Sequence, residues 1–341
     1  MTRELPAKAR VALLRQAVRA QPQSAVLLCE LSAALANAGE VREAARLFRQ
    51  AYLLQPRICT KALTSAEFTD AGKLRDYASA LIDNGVAYSM VIAALAIGEA
   101  RMGNRDAVQR LVDYDRLFRS YIMDAPDGHD QISFCRALAA EIKSDLTFND
   151  APPNRAIRRA WHHSLTKTTL PITGAWLKAV RREVDRYIAA LPEASDHPFP
   201  RSHPAEYVLS AWGIVSDGAS HHAPHIHVRA WLSGVFYVIR PQVSHDADRR
   251  CGWLKVGPPE ELYGVSAADG WAARTIEPEP GRVVLMPGYF FHGTHPMGVD
   301  QERICIAFDV VPVELAGANE DPMEIDSPST PLPDAAQAAR K

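Results

Sequence analysis

The stretch HHAPHIHVRAWLSGVFYV, residues 221–238, joins a histidine-rich segment to an apolar run. The run beginning at Trp231 is typical of a β-strand. His225 and His227 lie two positions apart just before it, so on extended backbone both imidazoles point to one face. Two imidazoles on one face can hold a divalent metal, but a third ligand must then come from elsewhere in the chain.

His292 is the candidate for that third ligand. It follows the strand-like segment GRVVLMPG, residues 281–288, and a Pro-Gly break. Eleven residues later, Arg303 begins the strand-like segment RICIAFDVVPV, residues 303–313, in which alternation places Arg303 and Asp309 on one face. An arginine at the head of an apolar strand is costly to bury unless it meets an anion, and a guanidinium can bind both oxygens of a carboxylate.

The order of helical and strand-like segments indicates separate domains. YVLSAWGIV (207–215) is a further strand-like segment, and the helical segment AWLKAVRREVDRYIAAL (175–191) precedes it. The composition changes near DAPPNRAIRR, residues 150–159. We therefore predict a multidomain α + β chain. Its predicted parts are a helical repeat region (1–147), a β domain (148–316) and a disordered tail rich in Pro, Ala, Ser and Asp (317–341).

A repeat spacing characterises the helical part. Pro22 and Pro56 lie 34 residues apart, which is the period of the tetratricopeptide repeat. Between them the pattern predicts two helices joined by a turn at Gly39. Their apolar stripes are Leu28, Leu31 and Leu35 on the first helix, and Ala44, Phe48 and Ala51 on the second. One repeat cannot bury its own face, so neighbouring repeats are expected within residues 62–144; a plain helical bundle is the alternative.

Composition excludes several classes of protein. The net charge of −2 provides no electrostatic footprint for nucleic acid or an anionic membrane, and no apolar run approaches the length of a membrane span. The five cysteines are scattered and lack any CxxC spacing. They predict reduced thiols and a cytoplasmic location rather than a disulfide framework or a thiolate zinc site.

Three blocks in this order, HIHVRAWLSGVFYV, PGRVVLMPGYFFHGTHP and RICIAFDVVP, resemble the 2-oxoglutarate- and Fe(II)-dependent oxygenases. The resemblance covers residues from about 205 to 313. It implies a double-stranded β-helix, or jelly roll, with Fe(II) held by His225, His227 and His292. It also implies that Arg303 binds the C5 carboxylate of 2-oxoglutarate.

Two positions depart from the family pattern. Tyr237 resembles one tyrosine of a pair that helps to bind the cosubstrate, but Phe236 stands where the branch commonly has the other. The usual facial triad has two histidines and one carboxylate, and here His227 occupies the carboxylate position. The site therefore also resembles three-histidine dioxygenases that use no 2-oxoglutarate, although Arg303 favours the cosubstrate. Two aspartates in a polar loop, Asp246 and Asp248, are an alternative source of a carboxylate.

The activity implied by the resemblance is hydroxylation of a C–H bond, with release of succinate and CO₂ from 2-oxoglutarate. It requires no general base, so no catalytic residue is predicted beyond the metal ligands. We expect Trp231, Leu232, Phe290 and Phe291 to exclude water from the site.

The helical repeats favour a peptide or protein substrate, or a role in homodimerisation. The alternatives are a protein-binding adaptor whose jelly roll is inactive, and a jelly roll that binds metal without oxidising anything.

Overall fold

The computed structural model describes residues 6–63, 69–144, 149–150, 160–166, 168–192, 196–216, 221–245, 250–298 and 301–317. The predicted boundary at residue 147, the predicted tail after Gly317, and the loop aspartates Asp246 and Asp248 lie outside these residues. Helices dominate the first part of the chain. They are α1 (Ala7–Ala20), α2 (Ala25–Asn37), α3 (Val41–Leu54), α4 (Pro56–Leu63), α5 (Ala71–Asp83), α6 (Ser89–Arg101), α7 (Arg105–Leu111), α8 (Tyr114–Leu117) and α9 (Gln131–Ser144).

Helices α2 and α3 form the helix pair that the repeat spacing predicts. All six residues of the two predicted stripes are buried. Ser32 donates a hydrogen bond of 2.7 Å to the carbonyl of Ala44, so the two helices approach closely. Gly39 lies between them at φ +83°, a left-handed conformation that glycine adopts without steric cost. The predicted pair is confirmed, and the assignment to the tetratricopeptide class stays a prediction.

The second part of the chain is mainly antiparallel sheet. Its helices are α10 (Pro171–Ala189), α11 (Pro198–Arg201), α12 (Glu260–Tyr263) and α13 (Val313–Ala316). The strands of the described chain are β1 (Arg119–Ile122), β2 (Asn149–Asp150), β3 (Ala160–Ser164), β4 (Tyr207–Ser216), β5 (Leu232–Ile239), β6 (Leu254–Val256), β7 (Arg274–Ile276), β8 (Arg282–Pro287), β9 (His292–Thr294) and β10 (Arg303–Pro312). The four predicted strands are therefore confirmed as β4, β5, β8 and β10, and the predicted helix as α10.

Two sheets form among the described residues. The larger has the order β1-β8-β5-β10-β4-β3-β2, and the smaller has the order β7-β6-β9. Strand β10 is central, because it pairs antiparallel with both β4 and β5. Strand β1 lies within the helical part of the sequence, yet it pairs with β8 at the edge of the larger sheet.

The two faces of the larger sheet have different neighbours. Trp176 of α10 packs against Phe236 and Phe308, with ring centroids 5.9 and 6.0 Å apart. This face is therefore covered by a helix. Alternation along the strands turns Tyr237 and Arg303 to the opposite face, where the candidate site lies.

The helical part packs directly on the sheet part, and buried apolar residues of both belong to one cluster. Tyr52 of α3 donates a hydrogen bond to the carbonyl of Val228, and Ser89 of α6 donates one to the carbonyl of Ala230. Both carbonyls lie within three residues of His227. Among the described helices, none combines the length and the apolar character that a membrane span requires. All five cysteines lie in described, buried positions and form no disulfide.

Candidate metal and cosubstrate site

Three histidines from separate parts of the sequence meet at the predicted place. His225 and His292 form a two-residue antiparallel bridge, with backbone hydrogen bonds of 2.9 and 3.0 Å. The amide of His227 donates to the carbonyl of Gly288 at 2.9 Å, which fixes the second histidine beside the end of β8. Each histidine offers one ring nitrogen, and these three atoms lie within 4.8 Å of one another. This spacing fits a single metal ion.

Each of the three imidazoles has its Nδ1 bound by another group. Nδ1 of His225 lies 2.7 Å from the carbonyl oxygen of Ala223, and Nδ1 of His292 lies 2.9 Å from that of Phe290. Nδ1 of His227 lies 2.8 and 2.9 Å from the two carboxylate oxygens of Asp309. A carbonyl or carboxylate at Nδ1 holds the proton there, so Nε2 of each ring keeps a lone pair for a metal.

Burial keeps two of these rings neutral. His225 and His292 are 2 % and 8 % exposed. Desolvation, reinforced by the neighbouring histidines, lowers the pKa of His225 well below its usual value. Desolvation is also the main cause that lowers the pKa of His292 to about 3. A neutral imidazole is the form that binds a metal, so both rings are ready to act as ligands near neutral pH.

Arg303 lies where the sequence predicts an anion site. The side chain is at the head of β10 and only 2 % exposed, and Nη1 donates to the carbonyl of Gly252 at 2.9 Å. Its buried Nε has no hydrogen-bond partner among the described residues, and none of their carboxylates pairs with it. A buried guanidinium with an unused donor fits an incoming carboxylate.

Tyr237 lies beside this arginine on the neighbouring strand. It is opposite Cys305 in the β5–β10 register and is 1 % exposed. Desolvation is the largest cause that raises the pKa of Tyr237, so its phenol stays protonated. Phe236, the departure from the family pattern, points instead to Trp176 on the other face of the sheet.

One cavity connects the three histidines with Arg303. The side chains of β4, β5, β6, β8 and β10 that line it are mainly apolar, namely Trp212, Ile214, Val235, Leu254, Met286, Cys305 and Ala307. His222 and Thr294 line its rim. The cavity measures about 40 Å³.

The prediction of which residues exclude water from the site is wrong. Trp231, Leu232, Phe290 and Phe291 do not line the cavity. Leu232 is on the opposite face of β5 from Ser233 and Tyr237, and Trp231 stacks on Phe199 at 4.5 Å. The apolar runs were therefore identified correctly from the sequence, but the face that each side chain uses depends on the sheet.

Sequence reasoning also missed two polar residues. Asp309 is 8 % exposed and accepts hydrogen bonds from both His227 and Ser233, the latter at 2.7 Å. Ser233 is directly opposite Asp309 in the β5–β10 register. The alternation along β10 signalled that Asp309 shares a face with Arg303, but nothing in the sequence identified its partners.

Residues 210–309 match a family model described as "Putative 2OG-Fe(II) oxygenase". No curated protein matches the chain. Among solved structures, the chain is similar to a prolyl-4-hydroxylase from Pseudomonas putida (16 % identity, TM-score 0.42, 59 % of this chain and 95 % of that chain covered). The chain is also similar to a prolyl hydroxylase from Trichoplax adhaerens, solved in complex with a hypoxia inducible factor oxygen degradation domain peptide fragment. The identity is 14 % and the TM-score 0.42, with 65 % of this chain and 94 % of that chain covered. HygX from Streptomyces hygroscopicus, with nickel and 2-oxoglutarate bound, has 14 % identity and a TM-score of 0.37 over 64 % and 96 %.

Proposed function

We propose ligands and a substrate class for this chain, which the family match identifies as a 2OG-Fe(II) oxygenase with Fe(II) and 2-oxoglutarate as its cofactors. In the proposal, Nε2 of His225, His227 and His292 bind Fe(II). The observation that carries it is the meeting of three imidazole nitrogens within 4.8 Å in a cavity that also contains Arg303. Bound together, iron and cosubstrate would let O₂ act as the oxidant for C–H hydroxylation: one oxygen atom would enter the substrate as a hydroxyl group and the other would enter succinate, with release of CO₂.

Arg303 is the proposed anchor of the cosubstrate. Its guanidinium would bind the C5 carboxylate, with the Tyr237 phenol as a neighbouring donor to the same group. Both side chains are buried and line the cavity. A charge-assisted bond in such a site is roughly twice as strong as a neutral one, and this arginine lacks a carboxylate partner among the described residues. Three-histidine dioxygenases that work without 2-oxoglutarate would have no use for this cation.

The remaining cavity residues would exclude water and position the ligands. Trp212 stacks on the ring of His227 with centroids 6.0 Å apart and planes 19° apart. Leu254 and Met286 close the cavity with apolar surface. No side chain is required to take up a proton from the substrate, so the chain's own contribution is orientation and a dry site.

A peptide or protein side chain is the proposed substrate class. In this proposal the two sheets are the halves of a double-stranded β-helix, and the helical part is a tetratricopeptide-like array that presents a protein-binding surface. The hydrogen bonds from Tyr52 and Ser89 to the backbone that follows His227 support the proposal, because they join the helical part to the segment that carries a proposed ligand. Use of the array for homodimerisation is the competing role, and sedimentation of the purified chain distinguishes the two.

The test is succinate formation. The purified chain is supplied with Fe(II), ascorbate, O₂ and 2-oxoglutarate, and succinate is measured with and without a peptide library. We expect slow turnover alone, faster turnover with some peptides, and a 16 Da mass gain in those peptides. His292→Ala should abolish turnover, whereas His203→Ala, at an exposed histidine outside the cavity, should not change it. Equal succinate formation by His292→Ala and the parent would contradict the proposed site.

A further inference from the structure

The three histidines include no carboxylate ligand, but the carboxylate of Asp309 is hydrogen-bonded to one of them, His227. His227 occupies the position at which the usual facial triad has its carboxylate. Three neutral ligands would leave a divalent ion with its full charge in a buried pocket, which is electrostatically costly. Asp309 lies against the far side of the His227 ring, 2.8 and 2.9 Å from Nδ1 by its two oxygens.

We propose that Asp309 is a positioning residue that replaces the missing carboxylate ligand: through His227 it supplies the negative charge and the orientation that the metal requires. The inference rests on the proposed function, because it takes the three histidines as ligands. A carboxylate behind a ligating imidazole fixes its tautomer and ring orientation and makes Nε2 more basic.

The surroundings of Asp309 hold the carboxylate in one orientation. It is on β10, between β4 and β5, and is 8 % exposed. Ser233, its direct cross-strand neighbour, donates to Oδ1 at 2.7 Å. The described ion pairs give Asp309 one partner, His227, and no lysine or arginine. A carboxylate buried without a cation of its own is costly, and a metal ion bound to His227 would supply the missing positive charge.

The test compares metal affinity rather than turnover alone. Asp309→Asn keeps the shape and removes the charge, and we expect about a 10- to 100-fold weaker Fe(II) affinity. The Co(II)-substituted variant should also show shifted ligand-field bands, because the donor strength of His227 changes. Glu183→Gln is the matched control. It neutralises another buried carboxylate, one that binds Tyr121 and Arg186 outside the cavity, and it should leave affinity and spectrum unchanged.

A second pair of variants tests the charge in the opposite direction. His227→Asp restores the usual facial triad but places two carboxylates side by side, and like charges disfavour each other. Asp309→Asn should therefore raise the Fe(II) affinity in the His227→Asp background, although it lowers affinity in the parent. A purely structural role for Asp309 predicts a loss in both backgrounds.

The outcomes separate the two proposals. If the parent binds Fe(II) and Asp309→Asn binds it equally well, the inference about Asp309 is overturned while the metal site stands. If the parent binds no Fe(II), the proposed function fails and this inference fails with it. Should Asp309→Asn not fold, Ser233→Ala takes its place. It removes the donor that orients the carboxylate, and it should lower Fe(II) affinity and shift the Co(II) spectrum in the same direction. An unchanged affinity and spectrum would overturn the inference.

Discussion

Replacement of Arg303 by methionine should remove cosubstrate binding without weakening the fold. Methionine approximates the length of the arginine stem and removes the cation. The guanidinium is 2 % exposed and has one hydrogen bond, to the carbonyl of Gly252. Removal of one partner from a buried, hydrogen-bonded charge pair costs about 2–5 kcal/mol, which corresponds to about 30- to 4000-fold in the dissociation constant of 2-oxoglutarate.

The stability of the ligand-free protein should change much less than the affinity for 2-oxoglutarate. Without the cosubstrate, Arg303 is a buried cation with an unused donor, and exchange of such a group for an apolar side chain of similar size is often neutral or stabilising. The carbonyl of Gly252 loses its donor in the same substitution, at a cost of about 1–3 kcal/mol that offsets this gain. We therefore expect a midpoint of thermal unfolding close to that of the parent for Arg303→Met. The same variant would thus lose its ligand and keep its stability, a combination that damage to the fold does not produce.

Thermal unfolding under nitrogen, with Fe(II) and with or without 2-oxoglutarate, measures both effects. A ligand at 100 times its dissociation constant stabilises the parent by about 2.7 kcal/mol, or about 5 °C. At the same concentration, a 30-fold weaker site leaves a shift of about 2 °C or less. Arg240→Met is the control, since Arg240 binds Glu277 outside the cavity and should leave the parent's shift intact. A full ligand-induced shift in Arg303→Met would refute the assignment of Arg303 as the anchor.

Three further predictions concern the fold. Gly234→Ala would place a Cβ 2.2 Å from the ring of Phe308, so we expect a loss of about 1–3 kcal/mol or more in urea unfolding. Tyr52→Phe leaves the buried carbonyl of Val228 without its donor and should cost about 1–3 kcal/mol in the same assay. Burial lowers the pKa of His197, so the folded state favours the neutral ring. The unfolded chain binds the proton below its ordinary pKa near 6.5, and stability should fall as the pH drops from 7 to 5.

Each of these has a matched control. Gly174→Ala adds a Cβ that meets nothing within 4 Å inside α10, and should stabilise by about 0.5–1 kcal/mol. Tyr88→Phe removes a hydroxyl group whose hydrogen bond to Glu314 is exposed to solvent, and it should cost much less than Tyr52→Phe. His197→Gln should flatten the pH dependence relative to the parent. Equal changes in the free energy of unfolding for the two glycine variants, or for the two tyrosine variants, would contradict the packing and hydrogen-bond arguments. An unaltered pH dependence of stability in His197→Gln would contradict the argument from burial of that ring.

The elements with strong local patterns could be predicted from the sequence. Strands β4, β5, β8 and β10 are runs of β-branched, aliphatic and aromatic residues bounded by turn residues, and each is found within one or two residues of its predicted position. The sequence of the helix pair α2–α3 contains the features that define it, namely an apolar stripe on each helix, a turn glycine at Gly39 and a proline at Pro56 that follows the second helix. The three histidines and Arg303 line one cavity, although they come from different elements. Arg303 begins β10 of the larger sheet, whereas His292 begins β9 of the smaller sheet and is bridged to His225.

Features that depend on neighbours in space could not be predicted. Strand β1 is four residues long and becomes a strand only because β8 offers an open edge. The partnership of Asp309 with His227 joins residues 82 positions apart and depends on the β5–β10 register. The apolar side chains nearest the histidines in sequence, such as Phe290 and Phe291, point away from the site, and Trp212 and Met286 from other strands replace them. The alternation of residue types predicts which side chains share a face of a strand, but the residues that they contact depend on how the strands pair in the sheet.

The most direct test of the central claim is an anaerobic titration of the purified chain with Fe(II) and then 2-oxoglutarate. Chelation of the keto acid by ferrous iron produces a weak visible charge-transfer band, which reports the ion and the cosubstrate in one site. We predict that the band appears in the parent, is absent in His292→Ala and is retained in His203→Ala. If the parent binds Fe(II) but no band develops on addition of 2-oxoglutarate, the three histidines do not form a 2-oxoglutarate-dependent centre, and the account is wrong.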